Sequence, residues 1–438
     1  MIQSLSDYLH LKKNQKRLSV EKIKRLQYKS INQMISYAKR NSPFYAEQYK
    51  DLSFNQLEDL KSFPIINKSI MMENFSTINT CGIQKDDVLS YAIEKELNKD
   101  YLGYYQNQYV VGLSSGTSGN KGIYITPKKM TKRLPAVFLA RSGLSVLDLP
   151  MRILFCLRVF SQGFNDINAF LMKLNYLSTM TPPHTIMDTI NHKKNNILMA
   201  PPSLIRFLVP LKDELKVKLK KIITYAEVLT LEDKHLFEET FHTKVIEIYQ
   251  ASEGQMASAC SKGKLHINED LVYVELYDEN QVEITKPHVV GHQMIITNLI
   301  NFAQPLIRYE MNDMIVLDEP CSCGSHFRTI ERIIGRRDDL LYFYDSNHLK
   351  KYVFPDLFAR WIITTSDLIR EFQVHQSQVG VLTIEIDAPK DFTIQLLESR
   401  IQNELNLIDL SAEIRIHIKK IELPKDKNKF KRFITEII

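Results

Sequence analysis

The chain has 438 residues, 44 % of them apolar and 25 % charged, with a formal net charge of +6 at pH 7. These are ordinary values for a soluble globular protein and exclude a disordered or collagen-like chain, and no run approaches the roughly 18 apolar residues of a membrane-crossing helix. Charges of both signs are interspersed except in the basic tail 419–432, a solvated face or a site for a polyanion such as a nucleotide, and no recognition helix, RNA-binding aromatic pattern or finger spacing supports a nucleic-acid partner.

At about 150 residues per domain, this length predicts two to three domains. The N-terminus turns lysine-rich at Lys12 and Lys13 with no apolar stretch after it, unlike a secretory signal. Cys81, Cys156, Cys260, Cys321 and Cys323 are too few and too scattered for a disulfide framework. They point to a reducing, cytoplasmic setting.

Residues 1–75 read as mostly helical. Over 18–39, Val20, Ile23, Leu26, Ile31, Met34, Ile35 and Tyr37 recur near a 3.6-residue period, and Asn41-Ser42-Pro43 ends that helix. Residues 76–330 alternate short β-rich runs, at 152–157, 196–200, 221–225 and 244–249, with helical patterns. Strand alternating with helix predicts a layered α/β domain. Arg336-Arg337-Asp338-Asp339 then forms a charged break. Beyond it a strand is expected near 340–344, a helix over 354–365, and strands near 372–376 and 381–386. A helix capped by Asp391 and running to about 405, then a strand over 413–418, complete a small α+β domain. The expected division is 1–336 and 337–438.

Glycine is scarce, 14 residues in 438, about 3 % where roughly 7 % is usual. Yet Gly112, Gly116, Gly119 and Gly122 crowd together between two β-rich runs. In Ser114-Ser115-Gly116-Thr117-Ser118-Gly119-Asn120-Lys121-Gly122, glycines let backbone N–H groups converge on an anion, hydroxyls add donors and Lys121 adds charge. A triphosphate needs such a cradle. The spacing from Gly116 to Lys121 is one residue too short for a Walker A loop, and Gly122 stands where that motif has Ser or Thr. No helical pattern follows directly, so the dinucleotide fingerprint also fails. A glycine-rich hairpin without a ligand is the plain alternative.

This stretch resembles the phosphate loop of the adenylate-forming superfamily of acyl ligases. Four more segments are similar to that family's signatures, in its order. They are Ile248-Tyr249-Gln250-Ala251-Ser252-Glu253-Gly254, Thr297-Asn298-Leu299 with Pro305-Leu306-Ile307-Arg308-Tyr309 and Asp313, Ile334-Gly335-Arg336-Arg337-Asp338-Asp339, and Pro424 through Asn428-Lys429-Phe430-Lys431-Arg432. Tyr37-Ala38-Lys39-Arg40-Asn41-Ser42-Pro43-Phe44-Tyr45, Leu265-His266-Ile267-Asn268-Glu269-Asp270 and Cys321-Ser322-Cys323-Gly324 resemble the phenylacetate–CoA ligase branch.

The resemblance implies a large layered α/β domain of the adenylate-forming type and a small mobile C-terminal α+β domain carrying the catalytic lysine. It implies ATP- and Mg²⁺-dependent activation of an aromatic or otherwise apolar carboxylic acid as its acyl-adenylate, then transfer to CoA or a carrier-protein thiol. The partners it allows are the small-molecule acid, a carrier protein and a second copy of the chain. Ser114, Ser115, Gly116, Thr117, Ser118, Gly119 and Lys121 would hold the β- and γ-phosphates, and Glu253 would hold Mg²⁺. Tyr249, Ser252, Tyr225, Ala226 and Glu227 would line the adenine side. Asp313 would accept both ribose hydroxyls, Arg336 would lie near the ribose, and Asp338 would be the hinge. Lys429 would bridge the substrate carboxylate and the α-phosphate as charge develops.

Each has a plain alternative: a core aromatic for Tyr249, a helix-start carboxylate for Glu253, a turn residue for Asp313, a solvated linker for Arg336 and Asp338, a surface lysine for Lys429. Glu310-Met311-Asn312 replaces the Arg-Thr-Gly-like stretch that often precedes the family's aspartate. Asn428 replaces the glycine before the lysine, a change that fits because asparagine visits the αL region. Leu341-Tyr342-Phe343-Tyr344-Asp345-Ser346-Asn347 lacks the glycine that the family keeps beside the pantetheine path. AMP transfer to a hydroxyl, transfer to an amine, or nucleotide binding without turnover therefore stay open.

Cys260-x5-His266 and Cys321-x-Cys323 would make a Cys3His tetrahedral set suited to structural zinc, clipping a helix to a loop. His326 is an alternative ligand, and free thiols are the alternative reading. The acid pocket is expected near residues 160–165, 225–228 and 249–252, where Phe160, Phe164 and Tyr225 would suit a planar or apolar acid.

Overall fold

The computed structural model describes residues 2–98, 102–113, 122–144, 146–157, 162–168, 171–179, 181–366, 368–421 and 430–437. Two compact units emerge. One comprises Met1–Tyr176, Ile246–Met311 and Ile315–Arg332; the other comprises Leu177–Val245, Asn312–Met314 and Ile333–Ile438. Among the described residues no helix is long and apolar enough to cross a membrane.

The first unit begins with helices Ile2–Arg17 and Val20–Asn41. The second buries Ile23, Ile31, Met34, Ile35 and Ala38 along one stripe, the face a 3.6-residue period generates. It stops where Ser42 Oγ accepts a hydrogen bond from the Tyr45 amide and Pro43 opens the next helix, Pro43–Gln48. This is a cap paired with proline at the first helical position. Downstream, strands Tyr109–Leu113 and Ile123–Pro127 pair antiparallel, Leu113 opposite Ile123. They flank the glycine loop, whose residues 114–121 lie outside those described.

Strand and helix alternate as expected from strand Met151–Cys156 to helix Leu231–Phe241, but not beyond it. From Lys244 to Arg336 no residue is in an α-helix. Strands Lys244–Ala251, Gly254–Ala259, Leu265–Ile267 and Thr329–Arg336 lie side by side, with antiparallel pairing between neighbours. Val272–Tyr277, Gln293–Asn298 and Tyr309–Met311 form a separate antiparallel sheet. The connections after Ala251 and Ala259 are too short for the crossover that parallel strands require.

In the second unit, strands Ile197–Met199 and Lys221–Thr224 pair in parallel, between helices Pro183–Lys193, Pro202–Leu208 and Leu231–Phe241. Its C-terminal part holds a four-stranded sheet in the order Glu413–Ile418, Val381–Asp387, Glu371–Gln378, Phe433–Thr435. A three-stranded sheet of Lys350–Val353, Leu341–Asp345 and Leu410–Ser411 accompanies it. Helices Pro355–Ile363 and Ile394–Leu407 pack on a core of Phe343, Phe358, Phe372, Val374, Leu397 and Ile401. Thr393, not Asp391, precedes the last helix. A turn in which the Phe392 amide donates to Pro389 O leaves Asp391 outside the helix.

Candidate functional site

Glu253 sits on the two-residue turn between strands Lys244–Ala251 and Gly254–Ala259, with Ala251 opposite Gly254 and a bulge after Tyr249. It is a hairpin residue, not the first residue of a helix. Asn298 Nδ2 donates to Glu253 O at 2.8 Å, and Asn298 Oδ1 accepts from the Ile300 and Asn301 amides at 3.0 Å each. The turn is thus pinned from behind. Its carboxylate accepts a 2.6 Å hydrogen bond from Tyr124 Oη, which lies 3.1 Å from Tyr309 Oη. Burial, and next the Glu253 carboxylate, push the Tyr124 phenol far above its ordinary range, so Tyr124 stays a donor.

Tyr124 belongs to the strand that follows the glycine loop. That strand is held on both sides of Tyr124. The Ile125 amide donates to Gln304 Oε1 at 2.8 Å, Gln304 Nε2 donates to Ile123 O at 2.9 Å, and Asn301 Nδ2 donates to Ile125 O at 2.9 Å. The segment 298–304 therefore fastens the strand leaving the loop to the Glu253 turn. The motifs do not point to Tyr124 or Gln304. A signal exists for Tyr124 alone: it stands between Ile123 and Ile125, and strand alternation turns it to the opposite face. Tyr249 is buried at the end of its strand and Ser252 is exposed on the turn. In the same unit Phe164 packs against Phe155, ring centroids 4.8 Å apart. Phe160 lies outside the described residues.

In the second unit, Asp313 and Arg336 come together, Nε to Oδ1 at 3.8 Å. Asn312 Nδ2 donates to Asp338 Oδ2 at 2.5 Å, and the Arg337 amide donates to Asn312 O at 2.8 Å. Asp338, the expected hinge residue, and Asn312, which precedes Asp313, are thus directly bonded. Tyr225 is buried just past its strand, and Ala226 takes a left-handed φ of 67°. Glu227 accepts from the Ser203 amide at 3.0 Å and from Ser203 Oγ at 2.8 Å. Burial pushes its carboxyl up, against the pull of Arg432. Lys429 and the loop residues Ser114, Ser115, Gly116, Thr117, Ser118, Gly119 and Lys121 lie outside the described residues.

Cys260, His266, Cys321 and Cys323 gather with their donor atoms within 4.8 Å of one another. Cys260 Sγ is 3.8 Å from Cys321 Sγ, and Cys323 Sγ is 3.5 Å from His266 Nε2. His266 Nδ1 is 2.9 Å from Phe327 O, and the Lys262 amide donates to Cys260 Sγ at 3.3 Å. Gly263 and Gly324, with φ of 79° and 83°, make the left-handed turns beside the cysteines. His266 is the middle residue of strand Leu265–Ile267, Cys260 follows strand Gly254–Ala259, and Cys321 and Cys323 lie in the loop before strand Thr329–Arg336, so the set does not join a helix to a loop. His326 is exposed and stands apart from the set.

The fold is that of acyl- and aryl-CoA ligases that pass through an adenylate. 2-Hydroxyisobutyryl-CoA ligase in its postadenylation state with R3-HIB-AMP superposes with a TM-score of 0.71 at 15 % identity, covering 97 % of this chain and 91 % of that one. An anthranilate CoA ligase in complex with anthranoyl-AMP gives a TM-score of 0.52 at 15 % identity, covering 74 % and 65 %. In sequence, the chain is similar to a phenylacetate-coenzyme A ligase of Thermus thermophilus. The two are 21 % identical over 418 residues, 91 % of this chain and 87 % of that protein. It is also 24 % identical over 338 residues to protein CapK of Staphylococcus aureus, 72 % of this chain and 68 % of that protein. No family model matches the chain.

Proposed function

We propose that this chain is an ATP-dependent ligase that activates an organic carboxylic acid as its acyl-adenylate and transfers the acyl group to the thiol of CoA. What carries the proposal is the network of Tyr124, Asn298, Asn301 and Gln304 that fastens the strand following the glycine loop to the Glu253 turn. It sets a carboxylate beside a strand that leaves a loop rich in glycine and hydroxyls and carrying one lysine, Lys121. Glu253 offers carboxylate oxygen, the donor type Mg²⁺ combines with phosphate oxygens. When bound there, Mg²⁺ supplies positive charge to the triphosphate.

In the first half-reaction an oxygen of the substrate carboxylate attacks the α-phosphorus, the bond to the bridging oxygen breaks, and pyrophosphate leaves. Tyr124 orients the Glu253 carboxylate, and Asn298 fixes the backbone under it. Asp313 accepts the ribose hydroxyls, with Arg336 as its ion-pair partner. Lys429 brings its ammonium to the charge that builds on the α-phosphoryl group. In the second half-reaction the thiolate attacks the acyl carbon and AMP leaves.

The test is product analysis with ATP, Mg²⁺, CoA and a panel of aromatic and aliphatic acids, repeated with a carrier protein as acceptor. Equal amounts of thioester, AMP and pyrophosphate are expected. AMP bonded to a hydroxyl acceptor, with no thioester, would overturn the proposal in favour of nucleotidyl transfer. Tyr124→Phe keeps the ring and removes the hydroxyl that donates to Glu253 and meets Tyr309 Oη. It is expected to raise the Mg²⁺ concentration for half-maximal rate about tenfold, as loss of a partner behind a metal ligand does. An unchanged Mg²⁺ titration would show that Glu253 does not hold the ion.

Cys260, His266, Cys321 and Cys323 fit a structural zinc. With zinc–sulfur bonds of about 2.3 Å, two thiolates of a tetrahedral site stand roughly 3.8 Å apart, and Cys260 and Cys321 are separated by 3.8 Å. The contact of His266 Nδ1 with Phe327 O orients the ring so that Nε2 is the ligand atom. Metal analysis of the purified chain is expected to give about one zinc per chain. A Cys321→Ser, Cys323→Ser double variant should lose it, and a native chain free of metal would refute the site.

A further inference from the structure

Arg432 is fixed by its backbone and shared by its side chain. It stands immediately before strand Phe433–Thr435, which pairs in parallel with strand Glu371–Gln378. The Val374 amide donates to Arg432 O at 2.7 Å, and Gln373 Nε2 donates to Lys431 O at 2.7 Å. The guanidinium grips Glu371 with two bonds, Nε to Oε1 at 2.7 Å and Nη2 to Oε2 at 2.9 Å, and lies 5.2 Å from the Phe372 ring centroid. Its remaining nitrogen, Nη1, faces Asp233 Oδ2 at 3.6 Å.

Asp233 lies in the first turn of helix Leu231–Phe241, where Thr230 Oγ1 caps its amide. Its side chain is fully buried. Oδ1 is paired with Arg206 Nε. Among the described residues Oδ2 accepts no hydrogen bond, so Arg432 faces it as a bare opposite charge. One residue earlier, Glu232 meets Arg360 at 3.0 Å on the surface. Two successive acids of one helix thus meet two arginines of the segment that begins at Ile333.

We propose that Asp233 and Arg432 form a releasable latch that positions the C-terminal segment against helix Leu231–Phe241. A buried charge is costly to abandon when it is left alone. Here neither partner is left alone on opening. Arg432 keeps its bidentate pair with Glu371, and Asp233 keeps Arg206. The contact that breaks is an attraction across 3.6 Å with no hydrogen bond in it, so the two sides separate and rejoin without unpairing either charge. Glu227, which also feels Arg432, remains held by Ser203. The proposal rests on the ligase function only for what the latch positions. Arg432 follows Lys429, the lysine proposed to meet the α-phosphoryl group, by three residues.

Asp233→Asn keeps the shape and removes the charge that faces Arg432 and also pairs with Arg206. Glu232→Gln removes the neighbouring surface pair and serves as the control. Two readouts apply to the full chain: ATP–pyrophosphate exchange, and the rate of trypsin cleavage after Arg336 and Arg337. Asp233→Asn is expected to lower the exchange kcat about tenfold, well within the attraction of two unit charges about 4 Å apart, with KM for ATP and acid little changed. Cleavage should accelerate by a similar factor. Glu232→Gln should leave both within about twofold, as surface substitutions do.

An Asp233→Asn variant with native kcat and native cleavage would overturn the latch. So would a rise in KM at constant kcat, which would make Asp233 a substrate-binding residue. If Asp233→Asn fails to fold, Arg432→Lys decides. It keeps the charge but loses the planar fork that reaches both acids, and it should shift both readouts the same way. Should the native chain exchange no pyrophosphate with any acid, the ligase function falls while the cleavage comparison still judges the latch.

Discussion

Lys429→Ala is expected to lower ATP–pyrophosphate exchange by about 10²–10³-fold, the loss seen when one preorganised donor to a developing oxyanion is removed. The chain's thermal unfolding should be unaltered. The segment also carries Lys425, Lys427 and Lys431. Lys431 is engaged elsewhere: its Nζ lies 3.6 Å from Asp339 Oδ1, and its carbonyl accepts from Gln373. Lys425 and Lys427 stand at other spacings from the Arg432 that anchors the following strand. Lys431→Ala is therefore the matched control, and its effect on exchange should be far smaller. A Lys429→Ala enzyme that retains exchange within about tenfold of native would remove this lysine from the chemistry. A protein that binds nucleotide without turnover would show no exchange in the native form and unaltered nucleotide binding in the variant.

The largest expected stability loss lies in the first unit. Asp270 and Arg141 are both buried, with side-chain exposures of 2 % and 5 %. Arg141 Nη2 donates to both carboxylate oxygens at 2.7 Å, and Asn14 of the N-terminal helix donates to Oδ2 at 2.9 Å. Burial lowers the Arg141 pKa while Asp270 pulls it back up. Asp270→Ala leaves the guanidinium buried beside the Phe327 ring without its counter-charge, and should cost about 3–5 kcal/mol. That is a large part of a total stability of roughly 5–15 kcal/mol. Urea unfolding monitored by fluorescence should show the first transition displaced to lower denaturant. Replacing both partners with apolar residues of similar volume, Arg141→Met with Asp270→Leu, should recover most of the loss, because no charge is then left unpaired. An unchanged midpoint for Asp270→Ala would show that solvent reaches Arg141.

The parts of this architecture legible in the sequence are those that one element specifies alone. Helix Val20–Asn41 and strand Glu413–Ile418 follow from their own periodicity. Helix Ile2–Arg17 has no strong apolar stripe and was legible only as general helical character. The antiparallel region 244–330 reads in sequence as alternating strand and helix, because a strand's period does not name its partner. Only the short turns after Ala251 and Ala259 carry that information.

The candidate site divides the same way. Glu253, Asp313, Arg336 and the Cys260–His266–Cys321–Cys323 set stand in local motifs. The side chains that orient them do not. Gln304 bonds a strand 179 residues earlier in the chain, and Tyr124 reaches Glu253 across 129 residues. Asp233 and Arg432 likewise meet only through the fold. Such pairings depend on which strands lie adjacent, and no local pattern encodes that.

ATP–pyrophosphate exchange by the native chain, scanned across aromatic and aliphatic acids with Mg²⁺ and no thiol, tests adenylation most directly, because it needs only the first half-reaction. Label should pass from pyrophosphate into ATP with at least one acid and not without acid. Absence of exchange with every acid, together with absence of ATP binding, would contradict an adenylate-forming ligase.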